Sequence, residues 1–539
     1  MKGKVKRISS FILASALTIG LFSGCGKTDT STAEGSAGTA AADSSAAASA
    51  TAEGTKIDTS KQVQLQFYMI GDAPKDLDEI NGKINEMTKK DLNATVKFNF
   101  TSWTDFGQKY NLVISSGQPV DLIYSASWLG YFKLANQGAF LPLDDLLPQY
   151  ASDLYNFVPK DYWEQVKANG KIYTMPSTYK EYINNGFLYR KDLQKKYNLP
   201  EPNSIENVEA YLDGMKKNEP SQLLTNEIVF TGTSPDSFSA FEILSMKYKW
   251  VYFGTPYGLT ADYDTPSDLK PYWGSPEFTE DMKMFKRWAD KGFWSKSALS
   301  AKTDETAFAN GKIIASMATV SASKYGDTLL KVKAAHPDWE VGYIQYPMVS
   351  GVAYTAHPAQ NGFSIPASSE NPERALMFYQ KLVLDKNYNL LSQYGIEGKH
   401  YTVEDEHYVP VGDPAKSGFP REGLLGWAWR NPEFMLFDKS SDAVNEVFAK
   451  DAEIADKTAY KGTNIFDGFA EDFTSYQSER AALGTVMTQY LAPIEAGLVP
   501  DVEKAIATFM QKAKAAGLDK IQAEYTKQWK AYCAEHNYK

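Results

Sequence analysis

The segment from Gly426 to Asn431, Gly-Trp-Ala-Trp-Arg-Asn, concentrates side chains that suit recognition of a polar ligand. Trp427 and Trp429 supply rings that can cover the apolar faces of a molecule such as a sugar. Arg430 supplies a planar fork of donors for hydroxyls or for a carboxylate. The two tryptophans also alternate, so the other explanation is that one packs inward and the other outward in a strand or loop. The segment therefore predicts a binding site, with a structural role as the open alternative.

Signatures of catalysis are missing from the chain. No Gly-x-Gly-x-x-Gly follows a predicted strand, and neither a phosphate-binding Gly-x4-Gly-Lys-Ser/Thr nor a Gly-x-Ser-x-Gly nucleophile motif occurs. Two carboxylates held about 5–10 Å apart across a sugar could hydrolyse a glycoside, but a sequence does not show that distance. We therefore predict that the protein is not an enzyme, with a cell-surface glycoside hydrolase as the alternative.

Metal-binding patterns are weak as well. The one cluster of histidine and acidic residues runs from His400 to His407, and we interpret it as a solvated acidic loop. The aspartates between 262 and 268 are interpreted as a turn, because Pro266 and Trp273 stand where a calcium loop needs ligands. We predict no metal site and no cofactor.

Cys25 is a candidate for covalent attachment of a lipid. It follows four cations within the first seven residues, an apolar run over 8–22, and the small pair Ser23-Gly24, which is the layout of an export signal. The segment 21–25 resembles a bacterial lipobox, whose cysteine receives a diacylglycerol and becomes the new N-terminus, although Phe22 stands where leucine is usual. A membrane-spanning helix is the less favoured interpretation, since about 20 apolar residues are needed to cross a bilayer. Ordinary secretion with Cys25 retained in a longer signal is the other alternative.

Composition separates a tether from a large folded part. Residues 26–60 consist mainly of Ser, Thr, Ala and Gly without any aromatic residue, so we predict a disordered tether over 25–60 after a signal peptide over 1–24. The formal charge is −10 and becomes −14 without the four cations of the signal, which argues against nucleic acid as a partner. If Cys25 carries lipid, Cys533 has no disulfide partner. The 539 residues exceed what one core fills, so at least two lobes are expected.

Strand and helix patterns alternate directly after the tether. Val63, Leu65, Phe67 and Met69 follow the period of a strand. The next predicted elements are a helix over 76–90, a strand over 95–100, a helix over 105–115, a strand over 120–124 and a helix over 128–137. Short connections between alternating strands and helices imply right-handed crossovers and a parallel sheet.

Helix signals dominate the later parts of the chain. Asn371-Pro372-Glu373 predicts a helix start, because it combines a capping side chain, a proline in the first turn and an acid. Apolar residues at helical spacing over 502–513 predict another helix, which Gly517 ends. A last amphipathic helix is predicted from Ile521 to Tyr532. The C-terminal region is therefore expected to be helical.

Several segments in the same order resemble the extracellular solute-binding lipoproteins of carbohydrate-uptake ABC transporters. Within that group they are similar to a subgroup, often labelled lipoprotein LipO, that carries a C-terminal domain of unassigned function. The segments that carry the resemblance are the lipobox, the tether, the opening strands and helices, and residues 119–128, 135–144, 306–312, 361–366, 394–401, 468–490 and 514–521.

The resemblance implies an α/β protein with the two-lobe, type II fold of periplasmic binding proteins, with the ligand in a cleft between the lobes. One lobe is expected to comprise 61–180 and about 360–415. The other is expected to comprise 181–359 and about 416–539, including the C-terminal helices. A ligand that touches both lobes favours the closed form through its extra contacts, so the lobes are expected to close by a hinge.

Candidate ligand-binding residues follow from the resemblance and from the sheet. Ligands of parallel sheets lie at the carboxyl ends of the strands, which nominates Trp103, Ser127 and Trp128 besides Trp427, Trp429 and Arg430. In the family the segment that crosses between lobes carries polar contacts, and the matching positions are Tyr179, Glu181 and Asn184. By analogy the return segment contributes Ser321 and Tyr325. Structural alternatives stay open: Trp103 can cap the core, and Glu181 can pair with Lys180 or Arg190 at the surface.

The function implied by the resemblance is capture of a sugar or oligosaccharide and its delivery to the permease subunits of an ABC importer. We expect a monomer, anchored in the cell membrane through lipid on Cys25 and facing the outside, or the periplasm if the host has two membranes. A peptide-binding receptor of similar architecture is a further alternative.

Overall fold

The computed structural model of the chain describes residues 59–103, 105–225, 240–251, 256–300, 306–317, 320–413 and 416–539. The predicted signal peptide, the predicted lipidation site Cys25 and almost all of the predicted tether lie outside these residues.

Only the first two strands are long. In chain order the strands are β1 (Val63–Ile70), β2 (Ala94–Thr101), β3 (Leu122–Ser125), β4 (Lys167–Ala168), β5 (Lys171–Ile172), β6 (Met175–Pro176), β7 (Gly186–Arg190), β8 (Leu259–Thr260), β9 (Lys270–Pro271), β10 (Ala315–Ser316), β11 (Val341–Gln345), β12 (Gly362–Ser364), β13 (Tyr401–Glu404) and β14 (His407–Pro410).

Helices account for most of the regular structure. They are α1 (Leu77–Leu92), α2 (Phe106–Ser115), α3 (Tyr131–Asn136), α4 (Leu146–Tyr150), α5 (Ser152–Phe157), α6 (Lys160–Gln165), α7 (Lys191–Lys196), α8 (Ile205–Asn218), α9 (Pro276–Asp290), α10 (Ala322–Ala335), α11 (Tyr346–Ser350), α12 (Pro372–Leu384), α13 (Lys386–Tyr394), α14 (Ser441–Ala455), α15 (Gln477–Val486), α16 (Ala492–Glu495), α17 (Val502–Ala515) and α18 (Leu518–Glu535). Two short 3-10 turns, Ser127–Leu129 and Trp427–Trp429, bear on the candidate site.

The first sheet has the strand order β2-β1-β3-β12-β6. β1 is parallel to β2 and to β3, and Val63 is paired with Ala94, so the parallel start predicted from the sequence is confirmed. β12 runs antiparallel to β3 and to β6. Leu65, Phe67 and Met69 are fully buried, because the alternation of β1 turns them to one covered face of the sheet.

Buried apolar side chains form two large clusters. The first surrounds the sheet of β1 to β3 and takes in residues from 65–175, 359–388 and 419–429. The second takes in residues from 187–354 and 465–533, including the antiparallel sheet of order β10-β7-β11 and the helical C-terminus. Each cluster is the core of one lobe, as expected for a chain of this length.

Three connections run between the two cores, over 176–186, 354–359 and 430–464. The first two pair with each other, since Tyr182 forms an antiparallel bridge with Thr355. The third joins them through the Thr355 N–H, which donates to the Gly462 carbonyl at 2.7 Å. The hinge region is therefore built from all three connections.

Residues after position 415 pack into the first lobe, beyond the lobe boundary expected from the sequence. Phe419, Leu424, Ala428 and Trp429 pack into the core of the first lobe. We propose that the first lobe continues to about residue 429, beyond the boundary expected from the sequence, and that the chain crosses to the second lobe after it.

The C-terminal helices predicted over 502–513 and 521–532 are present as α17 and α18. Their buried residues, Ile506, Phe509, Ile521, Tyr525 and Trp529, all belong to the core of the second lobe. None of the helices in the described residues is long and apolar enough to cross a membrane.

Candidate ligand-binding site

Two tryptophans stand at the carboxyl ends of β2 and β3, the parallel strands on either side of β1. Trp103 follows β2 by two residues and Trp128 follows β3 by three, and these side chains are 41% and 47% exposed. The turn that carries Trp128 ends at Gly130, whose φ of 77° is a left-handed conformation that glycine adopts without strain. Both rings therefore face solvent where ligands of α/β sheets bind.

Four rings form one continuous surface, which we call the aromatic shelf: Trp103, Phe106, Trp128 and Trp427. The Trp103 and Trp427 rings stack with centroids 6.1 Å apart and planes 28° from parallel. The Phe106 ring meets Trp103 and Trp128 edge-on at 5.8 and 6.2 Å. The buried Tyr124 ring supports Trp128 and Trp427 at 6.2 and 6.5 Å. Offset and edge-on contacts of this kind stabilise aromatic clusters while leaving outer faces free.

Hydrogen bonds fix the orientation of the shelf. Trp128 Nε1 donates to the carbonyl of Gln360 at 2.9 Å, and Trp427 Nε1 donates to Glu422 Oε2 at 3.2 Å. Because Gln360 follows the second connection, the shelf is tied to the hinge region. Gly71 leaves room for the shelf, since a Cβ there would lie 2.1 Å from Leu425 Cδ1.

A cluster of charges lies next to the shelf. Arg430 donates from Nε and Nη2 to the two carboxylate oxygens of Glu422 at 2.5 and 3.0 Å, and from Nη1 to Glu181 Oε2 at 3.2 Å. The side chains of Arg430 and Glu422 are only 14% and 17% exposed. The Arg430 guanidinium also lies over the Tyr179 ring, 5.4 Å from its centroid. Trp427 connects this cluster to the shelf because it donates to Glu422.

These charged residues line a cavity of about 580 Å³, measured with its open mouth. We call it the charged pocket. The first lobe contributes Arg421 and Glu422, the third connection contributes Arg430, and α10 of the second lobe contributes Ser323 and Asp327. The pocket therefore has walls from both lobes, as a hinged cleft requires.

The charges of the pocket stabilise one another. Burial alone would raise the pKa of Glu422, but the Arg430 guanidinium outweighs it and the pKa lies below its usual value. Burial raises the pKa of Tyr179, and the Glu181 carboxylate adds to the shift. At neutral pH Glu422 is therefore an ionised acceptor and Tyr179 a neutral hydroxyl donor.

The structure brings together seven of the predicted site residues: Trp103, Ser127, Trp128, Tyr179, Glu181, Trp427 and Arg430. Ser127 is half-buried in the turn that carries Trp128. Glu181 pairs with Arg430 rather than with Lys180 or Arg190. Trp427 and Trp429 point to different sides, with Trp427 on the shelf.

The other four predicted residues have contacts within the protein. Trp429 is fully buried and its Nε1 donates to Ser392 Oγ at 3.0 Å. Asn184 is buried and its Oδ1 accepts from the Tyr354 N–H. Ser321 caps α10, where its Oγ accepts from the Lys324 N–H. Tyr325 stacks on Tyr343 with centroids 4.7 Å apart. Each of these contacts stabilises the fold, and a ligand contact for the four residues stays a prediction.

Sequence reasoning missed Phe106 and Glu422. Phe106 begins α2 and is half-buried against the first core, so nothing in its sequence position distinguishes it from an ordinary core residue. Glu422 lies eight residues before Arg430 in an irregular loop, where no periodicity relates the two side chains. The one usable signal was the need of a buried arginine for an acidic partner.

The described residues contain no group of three or more His, Cys, Asp and Glu side chains that could hold a metal ion. His400 Nε2 lies 3.0 Å from Asp76 Oδ2, and His407 Nε2 lies 3.2 Å from Asp442 Oδ1. The two histidines of the cluster noted in the sequence therefore have separate acidic partners.

Two families match this chain. Residues 74–388 match the family described as bacterial extracellular solute-binding protein. Residues 465–534 match a domain of unknown function, DUF3502. A carbohydrate ABC transporter substrate-binding protein of Streptococcus pneumoniae serotype 4 is 25% identical over 485 residues, which cover 88% of this chain and 91% of that protein.

Solved structures agree over nearly the same span. The N-glycan transport solute binding protein NgtS of Streptococcus pneumoniae matches with a TM-score of 0.65 at 20% identity, over 88% of this chain and 99% of that one. An HMO-binding, ABC-transporter-associated solute binding protein of Bifidobacterium longum infantis matches with a TM-score of 0.66 at 15% identity, over 89% and 100%. These likenesses confirm the predicted two-lobe, type II fold with a helical C-terminus.

Proposed function

The chain belongs to the family of bacterial extracellular solute-binding proteins, and we propose that it captures a sugar or an oligosaccharide for an ABC importer. The observation that carries this proposal is the aromatic shelf beside the charged pocket. Sugars present apolar C–H faces between rings of hydroxyls, so they need flat apolar surfaces next to polar groups. The relatives named for carbohydrate transport, N-glycan transport and HMO binding support the same class of ligand.

Each part of the site has a distinct task in this proposal. The exposed faces of Trp103, Trp128 and Trp427 cover the C–H faces of successive sugar units. Tyr179, Ser323 and the free oxygen of Glu181 offer donors and acceptors to hydroxyls. A hydroxyl that loses its partner in a dry site costs about 1–3 kcal/mol, which is enough to select among sugars.

Closure of the two lobes would complete the site. Ser323 and Asp327 come from α10 of the second lobe, whereas the shelf belongs to the first. A ligand on the shelf gains contacts with α10 only when the lobes approach, so binding favours the closed form. Permease subunits of an importer can then distinguish loaded from empty protein.

Anchoring through lipid on Cys25 is also part of the proposal. It is motivated by the cations, the apolar run and the small residues before Cys25. Feeding cells an alkyne-tagged fatty acid and purifying the protein tests it. The label should enter the wild type and be absent from Cys25→Ala, and equal labelling of both would exclude this anchor.

A glycoside hydrolase is the second candidate, since Glu181 and Glu422 lie in one pocket. Both carboxylates, however, bind the Arg430 guanidinium, and the pKa of Glu422 is lowered. A general acid needs a raised pKa to hold its proton near neutral pH. This argues against Glu422 as the general acid. Burial raises the pKa of Asp327, the third acid of the pocket, so recovery of intact ligand is the decisive test of hydrolysis.

A ligand panel tests the proposed function. Calorimetry and thermal unfolding with manno-, fructo- and gluco-oligosaccharides, and with peptides of similar size, should show binding to at least one sugar and to no peptide. A true ligand at 100–1,000 times its dissociation constant stabilises the fold by about 3–4 kcal/mol. Chromatography of the recovered ligand should show it unchanged. Binding of peptides alone, or recovery of cleaved sugar, contradicts the proposal.

A further inference from the structure

We propose that the site selects uncharged saccharides and rejects acidic ones, because the buried Arg430 guanidinium is already bound by protein carboxylates. This inference rests on the proposed function and narrows its substrate class. Acidic saccharides carry carboxylates on their sugar rings, and arginine is the side chain that binds carboxylates best through its two-pronged fork. Whether the Arg430 guanidinium is free therefore decides whether it can bind the carboxylate of an acidic saccharide.

The edge of the Arg430 fork formed by Nε and Nη2 is fully occupied, and Nη1 has a carboxylate partner as well. Nε and Nη2 donate to the two oxygens of Glu422, and Nη1 donates to Glu181. All three nitrogens thus have a carboxylate partner within the protein. A ligand carboxylate would have to displace Glu422, which has itself lost most of its hydration at 17% exposure.

The second arginine of the charged pocket is also paired. Arg421 Nη1 lies 3.5 Å from Asp438 Oδ2. Among the described residues that line the pocket, the acids are Glu181, Asp327 and Glu422, and the cations are Arg421 and Arg430. An incoming anion therefore meets an excess of negative charge.

The aromatic shelf adds no positive charge, since its four members are neutral. Arg430 lies on the Tyr179 ring, so its remaining face is turned to an aromatic side chain. Uncharged hydroxyls are not repelled by this arrangement of charges. They can donate to the free oxygen of Glu181 and accept from Tyr179, so the same groups that repel an acid can bind a neutral sugar.

The size of the discrimination follows from the charges. Two like charges about 5 Å apart at an effective dielectric constant of about 20 repel strongly enough to change a dissociation constant by about 100-fold or more. A neutral oligosaccharide and an acidic one of equal length should therefore differ by at least that factor.

The test compares both classes of ligand on three proteins by calorimetry at moderate salt. The probes are neutral manno-, fructo- and gluco-oligosaccharides, and oligogalacturonate and oligoalginate of the same lengths. Glu422→Gln removes the carboxylate that occupies the fork and keeps the side-chain shape. Glu209→Gln is the matched control, because Glu209 binds both Nε and Nη2 of Arg287 in the second lobe, outside the charged pocket.

We expect the wild type and Glu209→Gln to bind a neutral probe and to bind acidic probes at least about 100-fold more weakly. In Glu422→Gln the ratio of the dissociation constants of acidic and neutral probes should fall by about 10-fold or more, because Arg430 becomes available to a ligand carboxylate. If Glu422→Gln unfolds, Glu181→Gln replaces it, because Glu181 is more exposed. This variant frees Arg430 Nη1, and the same ratio of dissociation constants is measured.

Three outcomes overturn the inference. One is an acidic probe that binds the wild type as tightly as a neutral probe. Another is an unchanged ratio in folded Glu422→Gln and Glu181→Gln, which would show that Arg430 is not the determinant. A wild type that binds neither class overturns the proposed function, and this inference with it, so the two failures are distinguishable.

Discussion

The aromatic shelf and the aromatic cluster at the C-terminus use the same residue types in opposite ways. On the shelf, Trp103 and Trp128 keep 41% and 47% of their surface exposed. In the C-terminal cluster Trp529 is 1% exposed, with the rings of Phe469 and Tyr532 at 5.1 and 5.6 Å. Ring content alone therefore does not identify a binding surface.

Position in the fold explains the difference. Trp103 and Trp128 follow β2 and β3, whose carboxyl ends lie at the same edge of the sheet. The C-terminal rings lie on α18 and on the segment before α15, which pack against each other and against the second core. Trp529 Nε1 donates to the Pro266 carbonyl at 2.6 Å, but Trp128 and Trp427 also donate within the protein, so the difference lies in the exposure of the ring faces. A binding ring is thus one whose face has no partner within the chain.

Trp529→Ala should give the largest effect on stability. Truncating a buried tryptophan leaves a large cavity, so we expect a loss of about 3–5 kcal/mol in the free energy of unfolding. Trp128→Ala should lose less than about 1 kcal/mol, since its ring is half-exposed. Urea unfolding of both variants measures the contrast, and equal losses would show that the shelf is part of the core.

Trp128→Ala and Trp427→Ala should instead weaken binding. Loss of a central aromatic contact typically costs about 2 kcal/mol, or about 30-fold in the dissociation constant. Calorimetry with the best sugar of the panel measures it. Trp339→Ala is the control, because Trp339 packs on Arg190 and His336 in the second lobe. An unchanged affinity in both shelf variants would show that the shelf does not contact the ligand.

A pair of buried acids extends the comparison to pH. Glu495 in the second lobe is fully buried and burial raises its pKa well above 4.5, whereas the pKa of Glu422 is lowered by Arg430 against the effect of burial. Glu495 is therefore neutral in the fold. Its contribution to stability is greatest below pH 4.5 and declines as the pH rises from there to its elevated pKa.

Glu495→Gln should remove that decline, which for one proton is at most about 1.4 kcal/mol per pH unit. Glu422→Gln should act in the opposite direction, removing a stabilisation that is present above pH 4.5 and lost as the pH falls. Urea unfolding between about pH 2 and 9 covers the range below 4.5 for Glu422 and the range above 4.5 for Glu495, and so checks both slopes. A Glu495→Gln variant with the wild-type slope would contradict the assignment of a neutral carboxyl.

The smallest expected effect concerns a contact between the two lobes. Lys133 on α3 of the first lobe lies over the Phe473 ring of the C-terminal domain, 5.4 Å from its centroid. An exposed cation over a ring contributes about 0.5–1 kcal/mol. A double-mutant cycle with Lys133→Met and Phe473→Leu, followed by urea unfolding, should return a coupling of that size. Additive losses would show that the contact does not couple the lobes.

Local patterns were sufficient for much of the fold. The alternation of Leu65, Phe67 and Met69 predicted β1, and Asn371-Pro372-Glu373 predicted the start of α12. Trp103 and Trp128 could be placed at strand ends for the same reason. The predicted cap of α12 itself is wrong, because the Asn371 side chain donates to Asp121 and makes no cap hydrogen bond. Periodicity and capping depend on neighbours within a few residues, so a single sequence contains them in full.

The sequence by itself determined the opening strands and helices, the start of α12, the C-terminal helices, the negative net charge and the residue types able to hold a sugar. Only the tertiary structure decided that Trp427 faces the shelf while Trp429 enters the core, and that Glu422 and Glu181 converge on Arg430. Glu181 and Arg430 are separated by 249 residues. Contacts over such distances follow from how two cores pack and how three connections cross, and no local pattern in the chain encodes them.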